Sequence, residues 1–163
     1  MNVLPMMSRF SAWAYGRVYD SCATLSDDDY RLDRGVFFGS VHNTLNHLLL
    51  VDRLWMARIK GGSVEIDGLG DILFDNFTDL RAAQETQSAE IAAMIAGLDE
   101  AQFSDIISFS RADGSSGKPA LGEILITVFN HQTHHRGQVS AMLTQAGATY
   151  EALDVMYFLA EQG

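Results

Sequence analysis

The side chains best suited to chemistry in this sequence are histidines. Asn130-His131-Gln132-Thr133-His134-His135-Arg136-Gly137-Gln138 holds three of the five in the chain. On a helix, His131 and His135 are four apart and share one face, with Cβ atoms roughly 6 Å from each other. That face continues through Ile124, Val128, Gln138 and Met142, a largely core-facing stripe. Imidazoles on such a face need both ring nitrogens satisfied away from water. A divalent metal satisfies one nitrogen on each ring, and an i, i+4 pair chelates one ion with little strain. His134 falls instead with Thr127, Asn130 and Ala141 on a more polar, peripheral face.

Two nitrogens hold a metal poorly, so a third ligand must come from another helix. His47 is the best placed, with Asn43 and Thr44 before it and Leu50, Val51 and Leu54 after it. His42 lies about 140° round the same helix from His47, so the two cannot easily share an ion. A single histidine on an apolar face is more often a hydrogen-bonded core residue than a ligand. The pair plus a third histidine makes His47, His131 and His135 the candidate metal ligands, while His42 and His134 read as structural.

Other metal chemistries are excluded by what stands beside these residues. A metalloprotease helix of the H-E-x-x-H type needs Glu directly after its first histidine, and that position is Gln132. A di-iron carboxylate bundle needs Glu three residues before a histidine, where this chain has Thr44, Val128 and Gln132. A mononuclear site with three neutral ligands and one open position remains. Such a site keeps its full charge and lowers the pKa of a bound water or thiol. Zinc or nickel suits three imidazoles, as do iron and copper. Asn43, Asp52, Gln132 and Gln138 could orient an imidazole or the incoming ligand. The chain has no Ser-His-Asp arrangement, P-loop or glycine-rich dinucleotide turn. The lone Cys22 lies on an apolar helix face, which favours a core role over a nucleophilic one.

The elements that must position these residues are helical. A first helix is predicted from just after Pro5 to about Leu25, with Phe10, Trp13, Ala14, Val18 and Cys22 on its apolar face. The acidic run from Ser26 ends it or caps a short turn. A second helix runs from near Ser40 to Gly61-Gly62, and an ordered loop occupies 61–77. A third spans about Thr78 to Leu98, after which Asp99 and Gln102 form a capping pair for one extra turn. Ile106 to Gly114 reads as a short hairpin arm turning at Asp113-Gly114. Pro119 suits the first position of a fourth helix, which ends before Gly147, and a last short helix follows. The fold class is therefore all-α: an up-down four-helix bundle with a short additional C-terminal helix, expected as one domain over 1–163.

With 163 residues, 47% of them hydrophobic, the chain can bury one sizeable core. Its 11 basic and 21 acidic residues give a net charge of −10, which disfavours nucleic acid and anionic membranes as partners. A lone cysteine implies no disulfide framework, and neither a signal peptide nor a membrane span is present, so a soluble cytoplasmic protein is expected.

Gly39-Ser40-Val41, Thr44-Leu45-Asn46-His47, Asp52 and Trp55 resemble the second helix of the DinB/YfiT-like bundle proteins. His131 to Gln138, with its His-His-Arg-Gly-Gln core, resembles their last bundle helix, and Gly147 followed by Asp154 is similar to their C-terminal end. The resemblance spans nearly the whole chain in order. It implies a four-helix bundle, often a homodimer, with a divalent metal held by three histidines that fall on His47, His131 and His135. Apolar residues expected on the outside of the first and third helices would fit such a dimer. Some relatives are transferases or isomerases using a low-molecular-weight thiol, which implies a thiol cosubstrate and a small electrophilic substrate. Hydrolysis by metal-bound hydroxide is the alternative, although no carboxylate is clearly placed for it, and a metal-binding stress protein without turnover is another.

Overall fold

Six helices and one small hairpin make up the structure, a computed structural model that describes residues 3–110 and 114–163. Helix α1 spans Val3–Cys22, α2 Asp27–Arg31, α3 Val41–Ile59 and α4 Phe77–Ala96. A 3₁₀ turn at Glu100–Ser104 leads to β1 (Phe109–Ser110) and β2 (Ser116–Gly117), then α5 (Leu121–Gln145) and α6 (Val155–Glu161). No helix among the described residues is long and apolar enough to cross a membrane.

Local chemistry sets most of these limits. Pro5 lies in the first turn of α1, where its missing N–H costs nothing. Ser26 caps α2 by accepting from the Asp29 N–H at 3.1 Å, and Ser40 caps α3 by accepting from the Asn43 N–H at 3.1 Å. Asp99 N–H donates to the Gln102 side chain at 2.8 Å, closing the expected extra turn. The hairpin pairs Phe109 with Gly117 and Ser110 with Ser116; the expected turn at Asp113-Gly114 falls partly on Asp113, outside the described residues. Pro119 does not open α5. It stays extended, its carbonyl accepting from the Ile107 N–H at 3.0 Å, and the helix starts at Leu121, whose N–H is taken by the Asp105 carbonyl.

The predicted four-helix bundle with its short C-terminal helix is present, and its connections set the site. One end of the core joins the end of α1, the start of α3 and α4 and the end of α5, through Tyr19, Leu45, Leu80 and Met142. The other joins Met7, Met56, Ile95 and Leu125. The directions are therefore up, down, down, up, not the alternating up-down order expected from the sequence, so α3 and α4 run parallel. α3 packs on α4 and α5, and α4 on α3 and α1, which leaves α1 and α3 on one diagonal and α4 and α5 on the other. Parallel neighbours cannot be joined by a tight turn, so residues 60–76 must climb back along α3. Asn46 pins this return: its Oδ1 accepts from the Leu73 and Phe74 N–H groups at 2.9 Å each, and its Nδ2 donates to the Phe74 carbonyl at 3.1 Å.

The expected apolar outer faces of the first and third helices are not found. Val3 is the exposed large apolar residue of α1 and α4 carries none, because the two helices spend their apolar faces inside the bundle. The other exposed large apolar side chains lie outside those two helices, among them Phe37, Leu69, Ile72, Ile106 and Ile126, with Met156, Tyr157 and Leu159 along α6.

Candidate metal centre

The bundle brings the three predicted histidines together. One ring nitrogen from each of His47, His131 and His135 lies within 4.8 Å of the others. His47 Nε2 and His131 Nε2 are 3.0 Å apart, and the His131 and His135 rings, one helical turn apart on α5, have centroids 4.5 Å apart. His134 is exposed on the outer face, as its position on the wheel predicts. His42 is buried away from the cluster, edge-on to Tyr30 at 5.3 Å, with no hydrogen-bond partner on either ring nitrogen among the described residues.

Two of the rings are oriented by specific acceptors. His47 Nδ1 donates to the Leu69 carbonyl at 2.8 Å, which leaves Nε2 as a free lone pair. His135 Nδ1 bonds to Gln138 Oε1 at 2.7 Å, freeing its own Nε2 in the same way. Phe38 stacks on the His47 ring with centroids 3.8 Å apart. It is held by a tight turn in which Gly39 takes a φ of 79° and its N–H donates to the Val36 carbonyl at 2.8 Å.

Of the candidate supporting residues, only Gln138 touches a histidine of the cluster. Asp52 and Gln132 face the opposite way, into the bundle. Gln132 Nε2 donates to Asp52 Oδ1 at 2.8 Å, Gln84 Nε2 donates to Asp52 Oδ2 at 3.1 Å, and Ser11 joins Gln132 to Arg136. The reason is helical phase, since Asp52 is five residues and so about 140° from His47. The Asn43 N–H donates to the Ser40 cap, and the side chain takes no part in the cluster. Cys22 is buried in the core, its thiol pushed up to about 12 by desolvation, which makes it inert.

Burial keeps the imidazoles neutral, the form a cation needs. It pushes His47 down to about 4 against the opposing Leu69 hydrogen bond. It pushes His131 to about 3, helped by the neighbouring charges of His135 and His47, and His135 is lowered too. A group depressed on folding contributes stability above its unfolded pKa that is lost as pH falls to the folded value. Chelator-treated protein should therefore lose melting temperature between about pH 6.5 and pH 4. The double variant His47→Ala, His131→Ala should show a shallower loss, and an unchanged slope would count against neutral burial of these rings.

Beside the cluster lies a cavity of about 480 Å³ lined by His47, His131, Val51, Leu54, Trp55, Arg58 and the returning segment Ile66 to Leu69. Sequence reasoning missed Phe38, Asn46, Arg58 and Asp67 here. Gly39 before the Ser40 cap was a signal for the turn that holds Phe38, and the buried amide beside His47 was a signal for Asn46. Nothing local marks Asp67, because only the return of 60–76 along α3 carries it to the cavity.

The DinB family model matches residues 1–162. The chain is 24% identical over 159 residues to Protein DinB of Bacillus subtilis strain 168, covering 92% of this chain and 90% of that protein. Among solved structures it is similar to a DinB-like protein from Bacillus cereus ATCC 10987 (TM-score 0.64, 16% identity, 86% of this chain and 90% of that one). It is also similar to YfiT from Bacillus subtilis, described as a probable metal-dependent hydrolase with an unusual four-helix bundle topology (TM-score 0.66, 14% identity, 88% and 87% covered). A family match along the whole described bundle, on a chain whose three histidines converge as the resemblance implies, has one reading: this protein belongs to the DinB family.

Proposed function

We propose that this chain is a metal-dependent enzyme acting on small molecules, with one divalent ion held by His47, His131 and His135. The observation that carries the reading is the convergence of three neutral imidazoles, two of which, His47 and His131, line an open cavity. The donor set fits the group. Two nitrogens bound to one ion at about 2.1 Å lie roughly 3.0–3.4 Å apart, and the His47–His131 separation is 3.0 Å. A site sealed by packed side chains would favour storage or a purely structural ion; a cavity of this size favours turnover. An ion bound there supplies Lewis acidity, lowering the pKa of a ligated thiol or water.

In the first reading the nucleophile is a low-molecular-weight thiol that attacks a small electrophile. It needs no protein base, which agrees with a cluster whose imidazoles hydrogen-bond to a carbonyl and an amide rather than to a carboxylate. Leu69 and Gln138 hold the rings in place, and Phe38 covers the His47 face. The second reading is hydrolysis, favoured by Asp67, a carboxylate on the same cavity wall that can accept a proton from water. The description of YfiT adds weight to it.

The test begins with metal analysis of untagged protein. Near-stoichiometric divalent metal, followed by thiol conjugation in a screen of electrophiles, supports the first reading. Ester or amide hydrolysis that falls about 10²- to 10⁴-fold in Asp67→Asn supports the second. Protein that holds no metal even after addition of zinc or nickel sinks both.

A further inference from the structure

The chain between α3 and α4 forms one wall of the histidine cavity, through Ile66, Asp67, Gly68 and Leu69. Little apolar packing holds this strap. No residue from 60 to 72 is buried, Leu69 is 51% exposed and Ile72 is 45% exposed. A stretch with so little buried surface takes its position from a few hydrogen bonds and opens at low cost when one is lost. Both ends are fastened to α3. At one, Gly61 turns with a φ of 77° and the Gly62 N–H donates to the Ala57 carbonyl at 2.8 Å. At the other, the fully buried Asn46 side chain accepts from the Leu73 and Phe74 N–H groups. Between them the Asp67 N–H donates to Asp71 Oδ2 at 2.8 Å, and the Asp71 N–H donates to the Gly68 carbonyl at 3.3 Å.

The middle of the strap is tied to α3 by the 2.8 Å hydrogen bond from His47 Nδ1 to the Leu69 carbonyl. The same ring turns Nε2 toward the cluster, 3.0 Å from His131 Nε2. One imidazole therefore serves both the strap and the ion. Ligation at Nε2 uses its lone pair, which places the ring proton on Nδ1, where it faces Leu69. Ligation also draws electron density from the ring and makes Nδ1–H a stronger donor. In chelator-treated protein that demand on Nε2 is lifted, and either ring can donate the bond between the two Nε2 atoms. When His47 donates it, the Nδ1 lone pair faces the Leu69 carbonyl and the tie is lost.

We infer that Leu69 and Asn46 are positioning residues that couple the ion to the cavity wall. Ligation by His47 draws the strap onto α3, so the wall that receives the substrate is complete only in the metal-loaded protein. This assignment rests on the three histidines holding a metal. It implies an order, ion before substrate, and by linkage a substrate resting on Ile66 and Leu69 tightens the ion in return. Asp67, the carboxylate of the hydrolysis reading, is set on the wall by the same bond.

Hydrogen exchange on the full chain, zinc-loaded against chelator-treated, tests the coupling, with elemental analysis of the same samples. The Asp67 and Asp71 amides report the strap. Zinc should slow their exchange about tenfold. Exchange in α6, which packs on α1 and contributes nothing to the cavity, should stay within about twofold. The zinc-loaded protein should also show a slowly exchanging His47 Nδ1 proton by NMR that chelation removes. In Asp67→Asn the protection should persist, because the tie runs through the Leu69 carbonyl; protection that vanishes there means that Asp67 itself reaches the ion, and overturns the coupling. Asn46→Ala frees the far anchor and should bind zinc about tenfold more weakly. Parent affinity in a folded Asn46→Ala protein overturns the coupling as well, and if that variant does not fold, the zinc comparison on the parent decides alone. One equivalent of zinc with unchanged strap exchange rejects the coupling and leaves the metal site standing. A chain that takes up no zinc rejects both.

Discussion

Replacing His131 by alanine should strip the protein of its divalent ion. His131 faces His47 across 3.0 Å and lies one turn before His135, so its loss leaves ligands on two helices with nothing between them. A zinc site is worth about 10–16 kcal/mol over its full ligand set, so one ligand removed should weaken binding roughly 10²- to 10³-fold. Elemental analysis after gel filtration should show near-stoichiometric metal in the parent and little in His131→Ala or in the His131→Ala, His135→Ala pair. Gln138→Leu should have a smaller effect, roughly 10- to 100-fold in affinity, because it removes the acceptor that fixes the His135 tautomer and leaves every ligand in place. The exposed His134 provides the control: His134→Ala should keep its metal. Parent-level metal in His131→Ala would show that the cluster is not the site.

The second large effect is expected in the bundle interior, at Asp52. This carboxylate is 1% exposed and accepts hydrogen bonds from Gln84 on α4 and Gln132 on α5. Ser11 on α1 extends the network to the buried Arg136, so four helices are tied by polar groups at one level. Asp52→Ala leaves two buried amide donors without an acceptor and the Arg136 charge less compensated. Breaking a buried network of this kind costs about 3–5 kcal/mol, a large share of the roughly 5–15 kcal/mol that holds a domain together. Urea denaturation should show that loss, and a change under about 1 kcal/mol would mean the network relaxes around the gap.

Asp52 also has a pH signature opposite to that of the histidines. Burial raises its pKa from 3.8 to about 6, against the hydrogen bonds from Gln132 and Gln84. Between those values the folded chain binds the proton more readily than the unfolded one. Asp52 therefore adds stability as pH falls through about 6, where the buried imidazoles lose it. Asp52→Asn removes the compensating member, so its acid destabilisation between about pH 6 and pH 4 should be steeper than that of the parent. Melting temperatures across that range decide the matter.

These expectations divide according to what is local in the chain. The spacing of His131 and His135, the apolar stripes and the capping residues were all legible, because each depends on neighbours within one helix turn. The third histidine of the cluster was legible as well, since His47 stands where apolar and polar positions of its helix meet. Asp52 and Gln132 were read as supporting the metal and instead stitch the core, because helix phase alone does not say which of two buried faces meets which partner. Pro119 was read as a helix start and is extended, because its carbonyl and the Leu121 N–H pair with Ile107 and Asp105 of the preceding segment.

By itself, the sequence determined a helical bundle with two clustered histidines on one face of its last long helix and a third on the helix that ends at Ile59. Only the tertiary structure decided what surrounds them. α3 and α4 run parallel, so the chain between them has to travel back past His47, bringing the Leu69 carbonyl to its ring and Asp67 to the cavity wall. The hairpin then closes over the far end of α3 and sets Phe109 against Arg58. Helical periodicity fixes a residue's face within a few turns; the partner of that face depends on how distant segments are routed, which is a property of the whole chain.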